Sequence, residues 1–354
     1  MKNRIAFVDT LKVLAILGVI TIHISADPFL HLEIGSMNWF FSVVWASIIR
    51  WSVPVFLMCS GVLFLNRNKV ITLKKLYTKY ILRIIIALVF WAVMYEILDI
   101  YIALHMGGHA GDAIKNALRN IVTCRTQTHL YYLYIVILIY ALLPVIRVFT
   151  DAASKQQMEY ALFAWVTLGI VYPFIIMFYP FSLLRGIVVQ YAIVFVYATI
   201  GFFVLGYYFY QYTISKKSTY IIYALGIIGL IITIGGTIYM SMSSKTVKSY
   251  LLEGMSPNVA AMAAGLFLFV KNHYSKSNER EGLKSKIIGY LSKGSFCIYL
   301  VHVFFNIAFK NLDLLNPKFS TIYSIPVLVL INLVLSLGVY YVLSKIPFAN
   351  KYLV

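Results

Sequence analysis

A chain of 354 residues that is 61% hydrophobic and 12% charged, with a mean hydropathy of +0.85, falls outside the soluble class, where about a quarter of residues carry charge. Its apolar residues come in blocks of about twenty, enough for a helix to cross roughly 30 Å of hydrocarbon, and not in alternating ten-residue strands, which excludes a β-barrel. The net charge of +18 would suit a nucleic-acid binder, but its placement excludes one. With the N-terminus in the cytoplasm, 21 of the 30 Lys and Arg fall on inner loops and helix ends and eight on outer ones, with Arg50 inside a span.

The expected fold is all-α, a polytopic membrane bundle of about ten transmembrane helices with both termini cytoplasmic. The spans are read at 5–25, 38–65, 81–104, 129–148, 158–179, 188–210, 219–241, 256–271, 287–308 and 322–344. The first is too long and too interrupted by charge for a cleaved leader, and no small-residue cleavage site follows it. It carries Asp9, Lys12 and His23. Lys12 and His23 are about three helical turns apart, which puts them on one face about 16 Å apart along the axis, and Asp9 lies one turn before Lys12, where it can pair with it. Asp9 and Lys12 read equally as a helix-end anchor or as part of a functional stripe. His23 reads as functional, because the unperturbed pKa of imidazole suits proton transfer near neutral pH.

In the second span Arg50 needs an anion, a carbonyl or water, since guanidinium does not deprotonate there. Glu96 and Asp99 of the third span are available as an internal ion pair, and contact with substrate is the other reading. Pro54 removes a backbone hydrogen bond just beyond Arg50 and can open the helix onto a cavity. Lys75, Lys79 and Arg83 recur every four residues at the inner end of the third span, forming one basic face. That face reads as an anchor to anionic lipid or as a seat for a phosphorylated ligand. Between the third and fourth spans, Ala113, Ile114, Ala117, Leu118 and Ile121 have the spacing of a short amphipathic helix on the outer surface. The eighth span holds the small-residue run NVAAMAAG, which suits close packing. The polar, glycine-containing segment 271–286 reads as a flexible inner loop. His302, in the ninth span, lies in the outer half like His23, so the two can line one cavity.

Cys59, Cys124 and Cys297 form no framework. Neither His23 nor His302 has a partner at liganding spacing, and no metal is expected. Residues 1–354 read as a single transmembrane domain without an appended soluble one. No internal repeat of the kind that marks secondary transporters is evident.

Taken together, these segments resemble the acyltransferase 3 family of bacterial membrane acyltransferases. RIAFVDTLKVLAILGVITIH at 4–23 is similar to the family's opening helix, with a basic residue, ten intervening residues and then His. RWSVPVFLMCSGVLF at 50–64 is similar to its Arg, Val-Pro-hydrophobic-Phe and Ser-Gly pattern. The basic run ending in Arg83, HLYYLYIVILIYALLP at 129–144, LGYYF at 205–209 and SFCIYLVH at 295–302 follow in family order, so the resemblance covers essentially the whole chain. It departs at Lys12, where many members have Arg, and at Tyr131 and Val301, where many have Trp; the fused extracytoplasmic esterase-like domain of some members is not expected. The change at Lys12 would keep a point charge and lose a bidentate role.

The resemblance implies that His23 is the catalytic histidine and Lys12 its motif partner, with Asp9 beside them. It implies that Arg50, Ser60 and Arg83 belong to the substrate path, with His302 a further member; beside them Lys75 and Lys79 are expected to help hold the donor, and Tyr299 and His129 to lie with His302 toward the acceptor. The donor would be acetyl-CoA or another acyl-CoA as co-substrate, and the acceptor a hydroxyl of a carbohydrate or lipid-linked sugar outside the bacterial cytoplasmic membrane. The competing expectation is a transporter or flippase of a glycan precursor, which shares the spans and the polar interior but needs no thioester.

Overall fold

A computed structural model of the chain describes residues 4–186, 195–276, 282–315 and 320–354. Its long helices, in chain order, are α1 (Ala6–His31), α2 (Met37–Ile48), α3 (Ser52–Leu65), α4 (Leu73–His105), α5 (Ala110–Val122), α6 (Thr128–Ala152), α7 (Lys155–Ile175), α8 (Phe195–Gln211), α9 (Lys216–Ser244), α10 (Pro257–Lys276), α11 (Leu283–Asn311) and α12 (Thr321–Leu343); a short α13 (Pro347–Tyr352) follows. Among the described residues nine helical stretches are long and apolar enough to cross a membrane, α2 and α3 together counting as one. They match nine of the ten expected spans. The expected sixth, 188–210, is described only from Phe195, where α8 runs on to Gln211.

Lipid removes the usual reason for apolar side chains to turn inward, and α9 shows the consequence. Its buried residues are Thr219, Gly229, Thr233, Thr237 and Ser241, whereas Ile221, Ile231 and Ile232 face outward. Small and polar residues at the interface let helices approach and hydrogen bond. Asn258 of α10 donates to the Thr233 hydroxyl at 2.8 Å, which itself donates to the Gly229 carbonyl. The small-residue run of the eighth span is thus a packing face.

The closest packing is between α3 and α8. A Cβ at Gly61 would lie 1.8 Å from the Phe203 carbonyl oxygen, and one at Gly206 would lie 2.2 Å from that of Met58. Only hydrogen fits at either position, which makes this pair a fixed wall behind the site.

The expected outer amphipathic helix is α5, which leaves Ile114 and Leu118 exposed and buries Ala117. Asn120 ties it to the bundle by donating to Glu96 of α4 at 3.3 Å. The expected inner loop at 271–286 is shorter than its polarity suggested. Residues 271–276 continue α10 and 283–286 begin α11, with 277–281 outside the described residues.

Candidate active site

The second span is broken where the sequence placed its charge. α2 stops at Ile48 and α3 starts at Ser52, so Arg50 sits in the gap. Unpaired carbonyls inside a membrane cost several kcal/mol unless something donates to them. Here the Trp51 indole donates to the Ile48 carbonyl at 2.6 Å, and the Ser52 hydroxyl donates to that of Ile49 at 2.5 Å. Gly18 of α1 makes room for the break, since a Cβ there would lie 1.9 Å from the Ser52 hydroxyl oxygen. Pro54, in the first turn of α3, has no N–H to offer the chain before it.

Beside this break three histidines from three helices meet. The His23 ring centroid lies 5.0 Å from that of His302 and 6.1 Å from that of His129, and His129 and His302 are 5.4 Å apart. His302 is fully buried, His129 nearly so, and His23 is half-buried. The Nδ1 of His302 lies 2.7 Å from the Tyr299 carbonyl oxygen and must donate to it, so Nδ1 carries the hydrogen and Nε2 keeps a lone pair. That Nε2 has no hydrogen-bond partner among the described residues. Asn332 of α12 fixes the backbone here by donating to the His302 carbonyl at 2.9 Å, and Tyr95 of α4 donates to that of Leu300 at 2.8 Å. The charged neighbour of His23 is Arg50, whose charge is in turn influenced by Glu253 and Tyr131.

A cavity of about 300 Å³ lies on the N-terminal side of the cluster. Lys12, Arg83 and Lys293 supply three cations to its lining, and Ser60, Tyr132 and Tyr299 supply hydroxyls. Tyr299 is the residue shared with the histidines. Its hydroxyl donates to the His129 carbonyl, and its ring centroid is 6.0 Å from that of His302. His23, His129, His302 and Arg50 do not line the cavity, and Tyr299 is the lining residue whose ring packs against His129 and His302.

Several pairings differ from the expected ones. Asp9 bonds Arg4 at 2.8 Å and accepts from the Ser292 hydroxyl at 2.5 Å, while Lys12 donates to the Ser292 carbonyl at 2.9 Å. The two therefore meet through one residue of α11 and make no direct ion pair. Arg50 makes no ion pair with Glu96 or Asp99, which instead accept from Asn120 and from Gln127. The single basic face is also altered, because Leu76–Ile81 forms a π-helical turn between Lys75 and Arg83. Its wider turn shifts the four-residue register: Arg83 lines the cavity, and Lys75 and Lys79 stay exposed at the rim. Arg83 also donates to the Val354 carbonyl. Ser60 lines the cavity while donating to the Phe56 carbonyl at 3.0 Å.

Sequence reasoning passed over Lys293, which reaches the cavity from α11, and Lys69 with Arg147 at its rim. Lys293 sits in the same helix as His302, nine residues earlier, a spacing that puts it about 13.5 Å along the axis toward the N-terminal end of that span. Among the described residues no group of three or more His, Cys, Asp or Glu side chains is arranged to hold a metal ion.

A largely apolar cavity that carries three cations and several hydroxyls, with a histidine cluster beside it inside an apolar bundle, marks a membrane protein with polar groups gathered in its interior. The acyltransferase 3 family model, described as an acyltransferase domain, matches residues 5–341, and the chain belongs to that family. No curated protein and no solved structure matches the chain significantly.

Proposed function

We propose that the protein is a membrane O-acyltransferase. It takes an acetyl or other acyl group from acyl-CoA on its basic, cytoplasmic side and passes it to a hydroxyl of a glycan or lipid-linked sugar outside the bacterial cytoplasmic membrane. The observation that supports this most is the sequence of chemistries along one line. Along α11, Lys293 and then Tyr299 line the cavity, and His302, three residues further, packs against His23 and His129.

Acyl-CoA is made in the cytoplasm, and its phosphates need cationic partners to approach hydrocarbon. Lys75, Lys79 and Arg83 offer them at the mouth. The thin, nearly neutral pantetheine arm then occupies the cavity past Lys12 and Ser60. For its thioester to meet His23, the Tyr299 side chain must swing aside.

His23 acts as general base. As the acceptor oxygen attacks the thioester carbonyl, the hydroxyl proton passes to the imidazole and the carbonyl oxygen becomes an oxyanion. Collapse of this intermediate breaks the C–S bond, and the imidazolium returns its proton to the leaving thiolate. Proton transfer of this kind is worth roughly 10²–10⁴-fold in rate. Arg50, the cation beside His23, stabilises the oxyanion. His302 and His129 hold the acceptor side of the pocket.

The test is release of CoA thiol and acylation of acceptor by purified wild-type and His23→Ala protein, both monodisperse and of matched thermal stability. His23→Ala is expected to lose at least about 100-fold. A normal rate in His23→Ala would remove His23 from the mechanism. A wild-type protein neither stabilised by acyl-CoA nor able to cleave it would leave the carrier of a glycan precursor as the better reading.

A further inference from the structure

The loop 66–72 between α3 and α4 lies at the rim of the cavity and is built around one lysine. Lys69 Nζ donates to the Leu63 carbonyl at 3.1 Å, satisfying a group that the end of α3 leaves free. The ammonium sits 4.2 Å from the centroid of the Phe64 ring and 5.3 Å from that of Tyr80. Both rings line the cavity, so Lys69 marks its entrance.

The backbone of the loop is stapled to the end of α6. Arg147 donates to the Lys69 carbonyl at 2.7 Å, and Arg67 donates to the Thr150 and Asp151 carbonyls at 3.2 and 2.9 Å. The charges facing Lys69 are Lys75 and Lys79 from α4 and Arg147 from α6, with Tyr80 the phenol beside it. The nearby carboxylate of Asp151 is engaged by Arg67 at 3.6 Å. Among the described residues, none of Lys69, Lys75, Lys79 and Arg147 forms an ion pair with a carboxylate.

Lys69, on a loop fixed by backbone hydrogen bonds, faces the cations of Lys75, Lys79 and Arg147 with no ion-paired carboxylate among the described residues, a setting that suits an anion of several charges. We propose that Lys69, with Lys75, Lys79 and Arg147 around it, is a phosphate seat at the entrance of the cavity that takes the diphosphate of the acyl-CoA donor. The inference rests on the donor reading above and assigns the seat to donor phosphate, not to the headgroup of an anionic lipid. It fits the aromatic wall: Phe64 and Tyr80 hold the ammonium at the boundary between the aqueous phosphates and the apolar path of the pantetheine arm.

Lys69 is also a sensor of pH in the working range. Burial, and then the neighbouring Lys75, Arg147 and Lys79 charges, pull its ammonium down to about 8. Below that pH Lys69 is charged and attracts phosphate, and as pH rises through it the attraction is lost.

The experiment measures binding of S-ethyl-CoA, which has no acyl group to transfer, and of S-ethyl-pantetheine, which lacks phosphate. Wild-type, Lys69→Met and Lys69→Arg proteins are compared in nanodiscs of phosphatidylcholine with and without phosphatidylglycerol. At pH 7, Lys69→Met should bind S-ethyl-CoA about tenfold more weakly than wild type, the worth of one charge-assisted hydrogen bond, with S-ethyl-pantetheine unchanged. Wild-type affinity for S-ethyl-CoA should fall between pH 7 and 9, and Lys69→Arg, which stays charged, should be flat over that range. Equal affinity of wild type and Lys69→Met, or a wild-type affinity flat with pH, overturns the seat and leaves the donor reading intact. Loss of phosphatidylglycerol dependence in Lys69→Met with unchanged S-ethyl-CoA binding reassigns the cluster to lipid and overturns it too. Failure of S-ethyl-CoA to bind wild type at all sinks the donor reading itself.

Discussion

His302 can give its Nδ1 hydrogen only to a carbonyl, so its other nitrogen enters the cluster as an acceptor. Replacing it with Asn keeps a polar side chain but loses the ring that fills the space 5.0 Å from His23. We predict that His302→Asn lowers turnover more than it lowers donor affinity, read as a fall in kcat with the KM for acyl-CoA nearly constant; a change in KM alone would place His302 outside the reacting centre. Gly18 acts at the same scale. Its hydrogen leaves room for the Ser52 hydroxyl that caps Ile49, and a larger side chain must push α1 away from the break. Gly18→Val should destabilise the protein by about 1–3 kcal/mol, the usual cost of overpacking, seen as a lower Tm in detergent.

Among the elements, the broken second span has the clearest physical logic. The break gives the guanidinium a gap, and Trp51 and Ser52 repair the carbonyls it exposes. Trp51→Phe removes one repair while keeping the aromatic bulk, and should cost about 1–3 kcal/mol of stability for the orphaned Ile48 carbonyl. Unchanged thermal unfolding of Trp51→Phe would show that another donor reaches that oxygen. α11 is the second such element: it carries Lys293, Tyr299 and His302, and so spans the cavity and the histidine cluster. Tyr299→Phe keeps the ring and loses only the hydroxyl bond to the His129 carbonyl, which should ease the swing that the proposed reaction needs. The expected result is faster uncoupled hydrolysis of acyl-CoA, measured as thiol release without acceptor.

For the molecule as a whole, the limits of legibility follow from how its order arises. Span positions are local properties: an apolar block satisfies its own hydrogen bonds and its length matches the bilayer, so α6, α11 and α12 could be read within a few residues, whereas α1 runs on to His31 and α4 starts already at Leu73. The pairing of helices is not local. Asp9 and Lys12 sit a turn apart, yet each finds a better partner on α11 through Ser292. Arg50 is influenced by the charge of Glu253, from a loop about two hundred residues later in the chain, and makes no ion pair with the carboxylates of the next span. His23 and His302 were legible as lying at one depth, but their ring contact and the packing of His129 between helices depend on how each helix is rotated. The π-helical turn at Leu76–Ile81 escaped the four-residue count of the basic face for the same reason. Lys69 has no motif at all, and its place at the entrance follows only from folding the loop back over Phe64 and Tyr80.

Transfer as proposed requires a thioester to enter from the basic face and its acyl group to leave on the other side of His23. The most direct test is acyl transfer in proteoliposomes of known orientation, with labelled acetyl-CoA on one side and a hydroxyl acceptor on the other. Acceptor should be labelled only when acetyl-CoA is on the side of Lys69, Lys75 and Lys79, and His23→Ala should abolish the label. Equal labelling with acetyl-CoA on either side, or labelling that survives His23→Ala, would contradict it.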